Sequence, residues 1–382
     1  MLADIVDFRF QQVSQQVILI MFLDLLTLKP EVFGIDISDL SLKIVKLRKK
    51  SGRLSLASFG ETKIEPGIIK GGEIKDENAL SEIIKKALFQ VRGDRIKTRY
   101  AVASLPEERA FLQVIQMPLM EPEEIRKAVY FEAENYVPMP MEKVYLDAQI
   151  VNSASENLDH ADVLIAAMPK STVDSYASSF QKSGLKPIVF EIESQAIARS
   201  LVEDEKSTEP LLLIDIGATR ASFIVFSGYS IRFTTSLLIS SQKFTETIAD
   251  NLKISIKEAE DLKKKYGIES GRGRKFFNIL KPDIINLAAQ IKKYLGYYQS
   301  HSGHEHIPIN GKVVKKIILC GGAANLRGLD DFLSRELRIQ VVLGNPWSNI
   351  LPSPLKEVPE LTYQESLKYT TALGLALRAA NL

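Results

Sequence analysis

Asp215 stands at the mouth of a short turn, Asp215-Ile216-Gly217-Ala218-Thr219, between two apolar runs at residues 211–214 and 222–226. Apolar runs of this length read as buried strands. A glycine in such a turn lets backbone N–H groups approach a ligand closely, and a row of these groups cradles phosphate oxygens. The carboxylate beside it is placed to hold the water shell of a Mg²⁺ that bridges those phosphates. Taken alone, the segment describes an ordinary hairpin just as well.

An echo shifts the balance. Residues 33–47, FGIDISDLSLKIVKL, repeat the design: an apolar strand, Asp36 at the turn, the small Ser38, then a second apolar strand. Ile35-Asp36-Ile37 and Ile214-Asp215-Ile216 align without a gap, roughly 180 residues apart, which predicts two related halves. A third piece, KIILCGGAANLRGLDDFL, ends an apolar strand in Gly321-Gly322 and runs into a helix. Two facing hairpins and a Gly-Gly turn closing on one nucleotide resemble the plan of the actin and Hsp70 superfamily of ATP-binding proteins. That resemblance implies an α/β, actin-like two-domain ATPase fold.

Composition bounds the context. At 382 residues the chain is too long for one typical core. Hydrophobic content of 45% and charged content of 25% are ordinary for a globular protein. A net charge of +2 gives no general pull towards nucleic acid. The single cysteine, Cys320, follows an apolar strand and reads as a buried thiol in a reducing compartment.

The elements that must position the site follow in order. Residues 1–32 are a leader, and its apolar stretch at 17–28 is too short to span a membrane. It reads as a docking helix, a membrane-surface helix, or an extension before a functional start near Met21. The first domain is expected at 33–208, with a helix from about 78 to 90 and a buried strand at 100–106. Residues 111–184 read as a small inserted module of strands and two helices. In it Met139 and Met141 either fill a core gap or form a binding surface. A second domain is expected at 209–362 with an outer part at about 250–312, and the helix at about 363–382 completes the first. In that last helix Thr371, Gly374 and Leu375 permit close packing. Gly267 ends one helix as a C-terminal cap, and a long helix is expected from about 284 to 299. His301, His304 and His306 are spaced for a metal in a loop, or simply lie in a turn.

The position and order of the inserted module resemble FtsA and, more closely, the PilM family of actin-like type IV pilus assembly proteins. The phrase LPEERAFLQVIQMPLMEPEEIRKAVYFEAENYVPMPMEKVYLDAQI carries that likeness, and AAMPKSTVDSYASSFQKSGLKPIVFEIESQAIARSL continues it. By resemblance Asp36 and Ser38 match the first phosphate hairpin, and Lys43 the lysine that reaches the β-phosphate. Asp215, Gly217, Ala218 and Thr219 match the second hairpin, and Asp36 and Asp215 would hold Mg²⁺ through water. Glu260 and Lys263 match the helix that holds ribose and base, and Gly321, Gly322 and Ala323 the adenosine turn. Glu193 occupies the position that orients the attacking water, although a helix-start carboxylate explains it equally. Thr219, Arg220 and Ala221 depart from the relatives' Gly or Ser followed by Thr, so slow hydrolysis of ATP is expected.

The resemblance implies a cytoplasmic ATP-binding scaffold at the inner face of the inner membrane. It would recruit the N-terminal tail of a PilN-like membrane protein, with indirect membrane association and a capacity for self-association. The expected groove lies between the module's strands, 111–117 and 144–150, and the core of the first domain. Rival expectations are an FtsA-like division protein and an actin-fold ATPase or small-molecule kinase.

Overall fold

The computed structural model describes residues 30–50, 52–151, 160–269, 274–301, 313–351 and 358–382. Leader residues 1–29, with Met21, and His304 and His306 lie outside the described residues. In the first lobe β1 (Val32–Ile37), β2 (Ser41–Lys50) and β3 (Arg53–Lys63) form a meander. A two-residue hairpin, β4 (Ile69–Lys70) and β5 (Glu73–Ile74), leads to α1 (Glu77–Phe89), then β6 (Arg92–Gly93) and β7 (Tyr100–Leu105). The insertion contributes β8 (Phe111–Pro118), α2 (Pro122–Ala133), β9 (Val144–Ile150) and β10 (His160–Pro169). The chain returns through α3 (Lys170–Ser183), β11 (Lys186–Ile192) and α4 (Glu193–Leu201).

The second lobe holds β12 (Ser207–Ile216), β13 (Ala221–Gly228), β14 (Ser230–Leu237), α5 (Ser241–Leu252), α6 (Ile256–Tyr266), α7 (Arg274–His301), β15 (Lys316–Cys320), α8 (Leu329–Leu337) and β16 (Gln340–Leu343). Finally α9 (Tyr363–Ser366) and α10 (Thr370–Asn381) cross back to the first lobe, where α10 packs on β1, β2 and α4.

The echo in sequence is an echo in topology. One sheet runs β11-β7-β1-β2-β3-β6, and the second lobe runs β16-β15-β12-β13-β14. In each, the strand that ends in the aspartate lies centrally. It has an antiparallel hairpin on one side and two parallel strands on the other. Both central strands are apolar on both faces, as strands covered by helices on each side must be. Local signals set the helix ends: Asp76 caps α1, Ser240 caps α5, and Ser255 with Glu258 forms a capping box on α6.

The inserted strands and α2 enclose a small core of their own, in which Met141 is buried and against which Met139 packs. Both methionines therefore fill a core. The insertion also extends the second sheet, because β14 pairs with β8 at Phe233 and Gln113 and the order continues β8-β10-β9. Helix α3, grouped with the module in the sequence, instead packs against α1 and places Tyr176 and Phe180 in the first-lobe core. Helix α7 starts ten residues before its expected start, at Arg274, and runs through Pro282. The missing N–H at Pro282 is tolerated because Phe276, Leu280 and Ile284 are buried along one side. Helix α10 is buried nearly all round, and a Cβ at Gly374 would lie 1.9 Å from the Ala196 carbonyl oxygen of α4.

Candidate functional site

The two aspartate turns face each other. Register places Lys43 opposite Asp36 across β1 and β2, and Lys43 Nζ lies 3.7 Å from Asp36 Oδ2 while donating to Ser41 Oγ at 2.8 Å. Asp36 Oδ1 accepts from Ser104 Oγ at 3.1 Å, which fixes the carboxylate from the end of β7. The turn itself closes through Ser38, whose backbone N–H donates to the Ser41 carbonyl at 2.9 Å.

On the other side Gly217 N–H donates to the Arg220 carbonyl at 2.8 Å. The first amides of α5, Ser241 and Gln242, donate to the Gly217 and Ala218 carbonyls, so the start of a helix supports the turn from behind. Gly321 has φ +83°, and a Cβ there would sit 2.2 Å from Asp215 Oδ1 and 2.6 Å from the Ile216 carbonyl oxygen. Only glycine lets β15 end this close to the Asp215 carboxylate.

Burial, and then the facing charge of Asp36, push the Asp215 carboxyl up to about 6, against the pull of Lys43. Burial likewise raises Glu193 well above the usual carboxylate range, and Asp36, Glu108 and Asp215 add to it. Glu193 Oε2 accepts from the Glu107 backbone N–H at 3.3 Å, and Glu107 Oε2 accepts from the Ser194 N–H at 3.2 Å. That reciprocal clasp locks the start of α4 to the loop after β7. Cys320 is buried with Sγ 3.8 Å from Asp215 Oδ1, and burial raises its thiol well above the ordinary value.

A cavity of about 190 Å³ lies between the turns. Asp36, Ser38, Lys43, Glu193, Asp215, Gly217, Ala218, Thr219, Gly321 and Gly322 all line it. Ala323 is buried beyond the Gly-Gly turn. Glu260 and Lys263 lie outside the lining and tie α6 to α5. Lys263 Nζ reaches Ser241 Oγ at 2.8 Å, Thr245 Oγ1 at 2.7 Å and Glu260 Oε2 at 2.7 Å. Their neighbour Lys264 pairs with Glu260 Oε1 at 3.3 Å, whereas Lys368 and Lys43 hold the Glu61 carboxyl low against its burial.

Sequence reasoning did not assign Asp39, Glu61, Glu108 or Lys368 to the site. Asp39 accepts from the Gly71 and Gly72 N–H groups at 2.8 and 3.0 Å, so the Gly-Gly pair before α1 was its signal. Among the described residues no group of three potential metal ligands occurs. Two facing carboxylates suit Mg²⁺, which takes one or two of them and fills its remaining positions with water and phosphate oxygen.

A family model, type IV pilus assembly protein PilM, matches residues 34–380. Among solved structures the chain is similar to the PilM-PilN type IV pilus biogenesis complex, at 26% identity and a TM-score of 0.76 over 91% of this chain and 98% of that one. It is similar to the ethanolamine utilization protein EutJ from Carboxydothermus hydrogenoformans at 15% identity and a TM-score of 0.53, covering 92% and 90%. MreB 5 of Spiroplasma citri bound to AMPPNP gives 14% identity and a TM-score of 0.51 over 91% and 95%. These last two likenesses establish the actin-like fold alone. The family match runs from the first aspartate hairpin to the final helix, and the chain belongs to the type IV pilus assembly protein PilM family.

Proposed function

We propose that this chain is an ATP-binding scaffold of the type IV pilus inner-membrane platform, held at the cytoplasmic face by the N-terminal tail of a PilN-like membrane protein. The observation that carries the nucleotide part is the Asp36 and Asp215 pair, two carboxylates lining one cavity at the ends of two pseudo-equivalent strands, with Asp215 raised by burial and then by the charge of Asp36. Such a pair is costly until a cation lies between its members. Asp36 and Asp215 would hold Mg²⁺ through water, and the ion would neutralise both the pair and the bridged phosphates. Lys43 serves the inner phosphates, and the Gly321-Gly322 turn leaves bare backbone for the nucleoside. AMPPNP and ADP in MreB 5 of Spiroplasma citri support this reading by fold. Glu193 is held towards its neutral form, and a neutral carboxyl takes no proton from water, which favours a retained nucleotide over a rapidly hydrolysed one.

The partner reading is supported by the likeness to the PilM-PilN complex. No described helix is long and apolar enough to cross a membrane. Of the two strands expected to line the groove, β8 is covered by β10 and meets β14, whereas β9 stands at the end of its sheet. Beside β9 a cavity of about 110 Å³ is lined by Asp147, Ala148 and Gln149, with Phe190, Ala198 and Tyr229 opposite. An edge strand beside a pocket suits an extended peptide, which gains affinity from main-chain hydrogen bonds and selectivity from the pocket. The family match does not favour a division protein or a small-molecule kinase.

Calorimetry with Mg·ATP and with a synthetic membrane-protein tail tests both parts. Asp215→Ala or Lys43→Ala should weaken ATP at least about tenfold, ~1.4 kcal/mol. Ala148→Asp should abolish tail binding and spare ATP. Turnover above roughly 1 s⁻¹ refutes the retained-nucleotide reading.

A further inference from the structure

Among the described residues every cation lining the cleft already has a carboxylate. Lys43 stands by Asp36, Lys368 pairs with Glu61, and Arg220 Nε lies 3.1 Å from Glu108 Oε1. The acids, Asp36, Asp39, Glu61, Glu108, Glu193 and Asp215, outnumber those three bases in the lining. An anion entering here must take a cation from its partner. The Lys43 pair lies within the first lobe, and Lys368 lies on the crossing segment beside Leu367, which is buried in the second-lobe core. Arg220 belongs to the β12–β13 turn and Glu108 follows β7, so their pair joins the two lobes directly.

The Arg220 guanidinium meets no second carboxylate among the described residues. Its Nη2 faces Gly71, where even a Cβ would approach to 3.3 Å. A planar fork of five donors held by one carboxylate oxygen keeps most of its capacity for phosphate. Two groups of residues stand out around the cavity. In one, Gly322 lies beside Lys368, whose partner is Glu61; in the other, Arg220, Glu108, Asp39 and the Gly71-Gly72 turn crowd together.

We propose that Arg220 reads the terminal phosphate of a nucleoside triphosphate, exchanging Glu108 for it, and thereby sets a preference for triphosphate over diphosphate. This rests on the nucleotide reading above. With the nucleoside at the Gly321-Gly322 turn and the inner phosphates between the hairpins, the third phosphate would be the one to meet Arg220. Phosphate accepts two parallel N–H bonds and carries more charge than the single carboxylate it displaces. Glu108, whose carboxyl is already raised by burial, can take a proton on release and need not remain an unpaired buried charge. The exchange also opens the cleft-lining ion pair that joins the lobes.

Calorimetry on the purified full chain with Mg·ATP and Mg·ADP, with circular dichroism confirming the fold of each variant, tests this. The wild type should bind Mg·ATP about tenfold more tightly than Mg·ADP. Arg220→Gln should erase that ratio by weakening ATP alone, and Glu108→Gln, which removes the competitor, should tighten ATP and leave ADP unchanged. Equal weakening of both nucleotides by Arg220→Gln, or loss of ATP binding in Glu108→Gln, overturns the assignment and leaves the nucleotide site standing. A wild-type chain that binds neither nucleotide refutes the underlying site and the role of Arg220 together.

Discussion

Replacing Asp215 with asparagine should make the protein more stable and less able to bind nucleotide. In the folded chain the Asp215 carboxyl keeps its proton to about pH 6, against an ordinary value of 3.8. Between those values the folded state binds more protons than the unfolded one, so stability falls as pH rises through the window and stays lowered above it. A displacement from 3.8 to about 6 corresponds to at most ~3 kcal/mol at 1.36 kcal/mol per pH unit. Asp215 lines a water-accessible cavity and is only part-buried by surface area, so screening reduces the figure, and about 1.5 kcal/mol is the expected gain from Asp215→Asn at pH 7.5 without magnesium. That gain corresponds to a rise in Tm of roughly 3–6 °C for a lobe of this size. At pH 5 it should shrink to about half, because the native carboxyl is then mostly protonated. Differential scanning calorimetry at the two pH values, with and without Mg·ATP, gives both readouts. If Asp215→Asn melts at or below wild type at pH 7.5, or the gap is as wide at pH 5, the strained-carboxylate account is wrong. The wild type alone should gain stability from Mg·ATP.

Other outcomes follow from particular contacts. Gly374→Ala gains up to ~1 kcal/mol of helix propensity, but its methyl collides with the Ala196 carbonyl oxygen. A net loss of about 2 kcal/mol is expected, and a variant that melts at or above wild type contradicts the packing of α10 on α4. Glu191 is buried between Arg199 and Arg378. Glu191→Ala removes the buried carboxylate that Arg199 and Arg378 share and should cost about 3–5 kcal/mol in urea unfolding. Gly321→Ala places a methyl against the Asp215 carboxylate at positive φ. It should lower Mg·ATP affinity at least about tenfold by calorimetry, and unchanged affinity would show that this turn does not shape the site.

Both aspartate hairpins were legible because each is written locally: an apolar strand, a carboxylate, a small residue and another strand within sixteen positions. The Gly-Gly turn was legible for the same reason. Glu108, Glu61 and Lys368 were not, since nothing near them distinguishes a cleft acid from a solvated one; only the return of the last helices over β3 brings Lys368 to Glu61. Lys263 illustrates the opposite limit. Its helix was placed correctly, but which face of that helix meets α5 is decided by tertiary packing, which turns Lys263 onto Ser241 and Thr245. Helix α3 was assigned to the wrong neighbour because adjacency in sequence favours the strand before it, whereas Tyr176 and Phe180 are buried in the first-lobe core.

The insertion is rooted in the first lobe at both ends, yet its sheet is stitched to the second lobe through β14 and through Arg232, which donates to Asp162 at 2.8 Å. It therefore behaves as a connecting rod with one end on each moving part. Any swing of one lobe about the cleft must either tilt β8, β10 and β9 as a rigid plate or slide the single Phe233–Gln113 bridge. The outer strand β9 lies farthest from that bridge, so a small angular change at the cleft produces its largest displacement there.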